Sequence, residues 1–202
     1  MPRVFTATKN KGGSKVYKCE RCSKRIEAGE KYYYYTRYRA RNKSIRCMSH
    51  CPRPSELTSS ETLSTAYATQ EQLDDLSTNA SDGQEVIDAL DSAYSDIDSL
   101  CDDLQSKIDN VESAFPNGTP VLDTLQEYLE NAEAYRDSIE QAKDEAESIW
   151  QSFESEYPEP DEDESESEED GDDKLTHEDW EEKRIEAISE ISGIVSSIDC
   201  PF

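Results

Sequence analysis

Two histidines in 202 residues, seven glycines and an apolar fraction of only 34% are shortages, and each excludes something. So little imidazole leaves little general acid–base chemistry near neutral pH. No phosphate-cradling glycine loop, H-E-x-x-H helix or Ser/His/Asp order occurs, so the chain is not expected to be an enzyme. No apolar run approaches the roughly 18 residues that cross a bilayer. Residues 1–15 are basic and lack the apolar stretch of a secretory leader. A mean hydropathy of -0.93 is too low to fill a thick core. Six cysteines over this length are too sparse for a secreted disulfide scaffold. The expected setting is a reducing cytoplasm, with no membrane partner.

What is abundant is charge, and it is divided. The formal net charge is -26, yet residues 1–54 hold 15 Lys/Arg against 3 Asp/Glu, a net of +12. Residues 55–202 hold 6 against 44, a net of -38. Such a split bears on partners and solubility rather than on fold.

Four of the cysteines fall in the basic part, as Cys19-x2-Cys22 and Cys47-x3-Cys51, with His50 inside the second cluster. Each close pair can present two ligands from one tight turn, and the intervening chain is long enough to fold back as a hairpin. This spacing predicts a tetrahedral zinc site. Cys19, Cys22 and Cys47 are expected ligands, with Cys51 as the fourth and His50 as its alternative. A closed four-ligand site leaves no position for a reacting water, so the zinc is structural. It staples a module of residues 1–54 that is too small to bury much on its own.

Between the ligand pairs, residues 16–18 suit a short strand. The run KYYYYTRYR at 31–39 alternates Tyr32, Tyr34, Thr36 and Tyr38 with Tyr33, Tyr35, Arg37 and Arg39, and residues 44–47 suit the return strand. Arg37, Arg39, Arg41, Lys43 and Arg46 are candidates to neutralise phosphates, and Tyr33 and Tyr35 are candidates to stack on bases. A protein partner, or the acidic remainder of the chain, is the other occupant such a surface suits. Residues 1–15 read as polar and flexible.

Pro52 and Pro54 keep a helix from starting directly at Cys51. Thr58 with Glu61 forms a capping pattern for a connecting helix within 55–80, where Leu57, Leu63, Tyr67, Leu73 and Leu76 recur with loose helical period. Residues 81–156 carry two apolar seams. Ile87, Leu90, Tyr94, Ile97, Cys101, Leu104, Ile108, Val111 and Phe115 form the first. Val121, Leu125, Tyr128, Ala132, Tyr135, Ile139, Ala142, Ala146, Ile149 and Phe153 form the second. The short Pro116-Asn117-Gly118 connection between them favours an antiparallel coiled-coil hairpin, and self-association through that hairpin is a further expectation. The acidic tract within 157–175 reads as a disordered linker. Thr176 and Asp179 cap a third helix within 176–202, with Ile185, Ile188, Ile191, Val195 and Ile198 as its stripe. The expected fold class is mainly α: a small zinc-stapled β-hairpin module followed by an antiparallel helical hairpin or three-helix bundle.

The motifs Gly29-Glu30-Lys31-Tyr32-Tyr33-Tyr34 and Arg53-Pro54-Ser55-Glu56-Leu57-Thr58-Ser59-Ser60 resemble those of a group of small phage and prophage proteins of unassigned role. That group pairs a G-[ED]-x-Y-Y-[WY] strand with an R-P-S-x-L-T-x-S motif. The resemblance covers about a fifth of the chain, and it implies phage origin and a host-cytoplasm setting without an activity. Some members of the group lack the cysteines, which implies that zinc supports the shape rather than being its purpose. The layout is also similar to zinc-ribbon and treble-clef modules, including poly(ADP-ribose) polymerase-type fingers. Those fingers place His-x2-Cys in the second pair. Cys47 with His50 or Cys51 departs from that pattern, so the likeness does not extend to DNA-break recognition.

These readings converge on a non-enzymatic adaptor whose zinc-stabilised basic head binds nucleic acid or another anionic partner and is carried on an acidic helical body. The alternative is a structural or inhibitory phage protein, DNA-mimicking in its charge, whose bundle binds a host or viral protein.

Overall fold

Among the described residues, strands lie only in the basic end of the chain, where tyrosine and β-branched residues concentrate, and the elements of the acidic part are helices. The computed structural model describes residues 4–9, 16–36, 42–158 and 176–202, so Arg37, Arg39, Arg41 and the acidic tract at 159–175 lie outside the described residues. The chain divides into two units, Met1–Ala68 and Thr69–Phe202, a division that falls after Ala68 rather than at the charge step after Pro54. No described helix is long and apolar enough to cross a membrane.

In the first unit, β1 (Phe5–Thr8), β4 (Lys31–Tyr35) and β5 (Ser44–Cys47) form an antiparallel sheet with β4 in the centre. A separate ribbon joins β2 (Tyr17–Lys18) to β3 (Arg25–Ile26). The β4–β5 hairpin is the one the tyrosine alternation predicts, with Tyr32 opposite Cys47 and Tyr34 opposite Ile45. Strand β1 corrects the reading of residues 1–15 as flexible throughout. Phe5, Thr6, Ala7 and Thr8 pair with Tyr34, Tyr33, Tyr32 and Lys31. The local signal was weak, four residues of an aromatic and β-branched alternation, and the central strand supplies the partner.

A short helix α1 (Pro54–Leu57) follows, with Pro54 at its first position, where the missing N–H costs nothing. Helix α2 (Glu61–Asn79) starts in the first unit. Its capping oxygen belongs to Ser60, whose hydroxyl accepts from the Leu63 amide at 3.4 Å, and not to Thr58 as the sequence pattern suggests. The buried face of α2 is Thr62, Ala66, Thr69 and Leu73, while Leu63 and Tyr67 are only half-buried.

The second unit is built on α3 (Gly83–Ala114), α4 (Pro120–Glu156) and α5 (His177–Ser196). Each start is capped: Asp82 accepts from the Gln84 amide, Thr119 accepts from the Leu122 amide, and Thr176 exchanges bonds with Asp179 as the sequence predicts. Two ion pairs fix the register of α3 and α4. Arg136 reaches Asp98 at 3.1 Å, and Lys143 reaches Asp91. Seven residues forward on α4 match seven residues back on α3, so the helices run antiparallel. Helix α5 runs back along α4, because the Trp180 indole donates to the Tyr157 carbonyl at 3.0 Å and Phe202 meets Tyr128 edge-on.

The seam residues Ile87, Leu90, Ile97, Cys101, Leu104 and Ile108 are buried on α3, and Ala132, Tyr135, Ile139, Ala142, Ala146 and Phe153 on α4. Three expected positions fall away. Phe115 and Val121 stand exposed at the hairpin tip, and Ile185 is 63% exposed, its place in the α5 core going to Trp180 and Ala187.

At the other end of the hairpin, Gly83 lies under Trp150. A Cβ built on Gly83 would sit 2.1 Å from the indole, so no side chain fits there without displacing the ring. Gly83→Ala gains helix propensity of about 1 kcal/mol but overpacks a full site at a cost of about 1–3 kcal/mol. The expected net result is a lowered thermal midpoint of the helical signal. An unchanged or raised midpoint would show that Trp150 is not held against this backbone.

Candidate metal centre

The first pair of candidate ligands sits in the tight loop between β2 and β3. The Ser23 amide donates to the Cys19 carbonyl at 2.8 Å, and the Cys19 amide donates to the Lys24 carbonyl at 2.9 Å. Closing this loop requires a left-handed residue, and Ser23 takes that conformation at φ 59°. For a residue with a Cβ this costs about 1–2 kcal/mol. The second pair follows from β5. The chain turns after Cys47, the His50 amide donates to the Cys47 carbonyl at 2.9 Å, and that turn swings the imidazole back toward the Cys47 sulfur.

Cys19, Cys22, Cys47 and His50 thereby converge, with all four ligating atoms within 4.8 Å of one another. Cys51 is not part of the cluster and is exposed, which gives the fourth position to His50. The reason is the turn: it returns the third residue after Cys47 to the cluster, and the fourth lies past its end. The Cys22 and Cys47 sulfurs are 3.8 Å apart, and His50 Nδ1 lies 3.7 Å from the Cys19 sulfur and 3.1 Å from that of Cys47. A tetrahedral ion with metal–sulfur bonds of about 2.3 Å spaces its sulfurs by about 3.8 Å. The sulfur pair therefore fits such an ion, and no disulfide links these cysteines.

Burial raises the Cys19 thiol pKa, but hydrogen bonds from the Cys47, Cys22 and Arg21 amides outweigh it and bring the group down to about 6. At Cys22 the Lys24 amide lowers the pKa, and burial together with the neighbouring Cys19 and Cys47 sulfurs reverses that to a net rise. Crowding several thiols makes their joint ionisation costly unless a cation sits among them, which is the electrostatic form of a metal site.

A second network ties the two halves of the centre. Glu20, between Cys19 and Cys22, donates its amide to the Ile45 carbonyl at 3.0 Å, and its carboxylate accepts from the Ile45 amide at 3.2 Å. The same carboxylate takes Arg46 at 3.2 Å, and Arg46 reaches Glu56 of α1 at 2.8 Å. Arg46 is buried at 6% exposure and ion-paired on both sides. It is therefore withdrawn from the anion-binding set in which the sequence placed it. The roles of Glu20 and Glu56 were missed. Their only signal was that Glu20 is one of three acidic residues in a strongly basic segment.

Tyr35 is also withdrawn, since it is fully buried, with the Arg46 guanidinium 5.9 Å from its ring centre. Tyr33 is half-buried on the same sheet face, opposite Arg46. Lys43 is exposed, its ammonium 4.8 Å from the Tyr34 ring centre.

Burial raises the Glu56 pKa, and the Arg46 hydrogen bond and charge more than reverse this, leaving the carboxyl below its ordinary value. A carboxyl with a depressed folded pKa adds stability above its unfolded pKa and loses it as pH falls through the folded one. Glu56→Gln should therefore destabilise the first unit by about 2–3 kcal/mol at neutral pH, and the difference from the parent should shrink as pH falls through that range. A constant difference across it would remove the ion pair from the account. Cys51→Ser should leave bound metal unchanged, and His50→Ala should weaken it. Equal loss in both variants, measured by metal analysis after dialysis, would return Cys51 to the ligand set.

No family model matches the chain, and neither a curated protein nor a solved structure matches it.

Proposed function

We propose that Cys19, Cys22, Cys47 and His50 hold one zinc ion, and that the basic head it staples is a non-enzymatic binding module for nucleic acid or another polyanion. Three thiolates and an imidazole suit zinc among the divalent metals, and four protein ligands leave no open position for catalysis. The observation that carries the proposal is the separation of +12 on residues 1–54 from -38 on residues 55–202. Folding gives no reason to gather cations this way, and a clustered basic segment is the electrostatic footprint of polyanion binding.

With Arg46 and Tyr35 taken up internally, the candidate contacts are Lys43 together with Arg37, Arg39 and Arg41, which stand in the sequence between β4 and β5. The acidic helical body keeps the chain soluble and repels unspecific polyanions, so that binding depends on the head. Purified protein is expected to carry one zinc per chain and to lose it on Cys19→Ser. Its affinity for labelled DNA should fall steeply with salt. Four phosphate contacts to a single strand correspond to a loss of about 50-fold between 50 and 200 mM salt. Arg37→Ala, Arg39→Ala and Arg41→Ala should each reduce the slope by about 0.7. Salt-independent binding, or a lysate partner that survives nuclease treatment, would point instead to a protein held by the acidic body.

A further inference from the structure

We propose that the polyanion is a single-stranded nucleic acid whose bases stack on an aromatic strip formed by Phe5, Tyr34, Tyr32 and Tyr17. This rests on the nucleic-acid reading above and names the ligand class and the surface. In an antiparallel sheet, residues directly opposite one another share a face. Phe5, Tyr34 and Ile45 are in register, as are Ala7, Tyr32 and Cys47, so these six lie on one face. Tyr33, Tyr35 and Arg46 lie on the other, where Arg46 meets Glu56 of α1. The tyrosines chosen from sequence thus share the Arg46 face, and the opposite face carries Tyr32 and Tyr34, half-buried, with the exposed Phe5 at its edge.

The strip is continuous. Phe5 stacks on Tyr34 at 5.3 Å with an 18° interplanar angle, Tyr34 meets Tyr32 at 6.2 Å, and Tyr32 meets Tyr17 at 5.3 Å. Phe5 ends it on the edge strand β1 and is 46% exposed, with Val16 beside Tyr17 at 54%. The three tyrosines are half-buried and the row opens at Phe5 and Val16, and an aromatic row that reaches solvent at its ends on a small head calls for an occupant. Its cations point to the kind. Lys43 lies over Tyr34, and a long exposed side chain can swing aside and carry its charge to a phosphate. Lys18 is also exposed, next to Tyr17 in β2.

Rings and cations together select among partners. A duplex hides the faces of its bases, so it would use the charge and leave the rings idle. An acidic peptide offers carboxylates without π faces. A single strand uses both, because every base has a face to stack and every residue a phosphate. The strip also depends on the metal centre, since Tyr17 is two residues before Cys19 and Tyr32 pairs with Cys47.

The test uses the full-length, metal-loaded chain and three labelled probes: an oligothymidine, an abasic strand of the same length, and the matched duplex. The strands should exceed the roughly 4–16 nucleotides that one such module covers. The oligothymidine is expected to bind at least tenfold more tightly than the abasic strand. Phe5→Leu keeps apolar bulk at the site but removes the ring, and it should cost the oligothymidine about tenfold. It should leave the abasic strand, the salt slope and the metal content unchanged. Tyr34→Phe keeps the ring and should bind as the parent does. Equal affinity for thymidine and abasic strands, preference for the duplex, or indifference to Phe5→Leu would overturn the stacking inference while phosphate binding by the head survives. Failure of all three probes to bind would overturn both.

Discussion

The head is organised around the Arg46 guanidinium, which faces Glu20 on one side and Glu56 on the other. Glu20 stands between the first two candidate metal ligands, Arg46 immediately precedes the third, and Glu56 belongs to α1. One buried cation thus fixes the loop, the sheet and the following helix to one another. A buried arginine is costly to leave unpaired; here both terminal nitrogens meet a carboxylate, and the buried Nε has no partner among the described residues. The candidate metal centre addresses the same junction from the other face, because Cys47 and Arg46 project to opposite sides of β5. Metal and ion pairs are what a small module uses when apolar burial is insufficient. The buried apolar residues of this head, Ile26 and Tyr35 among them, are few.

The second unit meets the same scarcity with length. Its buried residues recur about once per turn along much of α3 and α4, and the α4 side mixes alanine with larger residues: Ala132, Tyr135, Ile139, Ala142, Ala146 and Trp150. Small residues admit the large ones of α3 and α5, and Gly83 beneath Trp150 is the extreme case. The acidic surface is left almost uncompensated. Arg136 and Lys143 are used across the hairpin, where each neutralises an aspartate of α3 and also specifies which residues of the two helices meet. Exposed ion pairs contribute little energy singly. Their value here is register, because so few cations are available to pair with so many acids.

Much of this was legible in the sequence. The helices, their caps and most of the two seams follow from local chemistry, since Asp82, Thr119 and Thr176 cap whatever tertiary structure follows. The convergence of Cys19, Cys22 and Cys47 was legible from spacing. The fourth ligand was not, because His50 and Cys51 differ by one position and only the turn after Cys47 decides between them. Strand β1 escaped because four residues carry little pattern and their partner lies more than twenty residues away. Ile185 was misplaced by treating isoleucine spacing as the guide, when Trp180 buries more surface and sets the rotation of α5.

The anion-binding set shows the deeper limit. Period-two alternation sorts the tyrosines of β4 into two faces correctly, and it cannot say which face is covered. Charge would seem to settle it, since arginines prefer solvent, and here that inference fails at Arg46. Its face is internal because two glutamates distant in sequence meet it there, one from the loop between β2 and β3 and one from α1. A count of positive residues therefore overstates the head's capacity for a polyanion. Arg46 is ion-paired inside, Lys9 donates to the Ile26 carbonyl from a buried position, and Lys24 and Arg25 face Glu30 and Glu27. A smaller group of cations is left at the surface, of which Lys43 stands over the half-buried Tyr34 ring. Total charge therefore says less about the surface of this head than the register of its sheet does, since the register decides which side chains are paired inside and which stand outside.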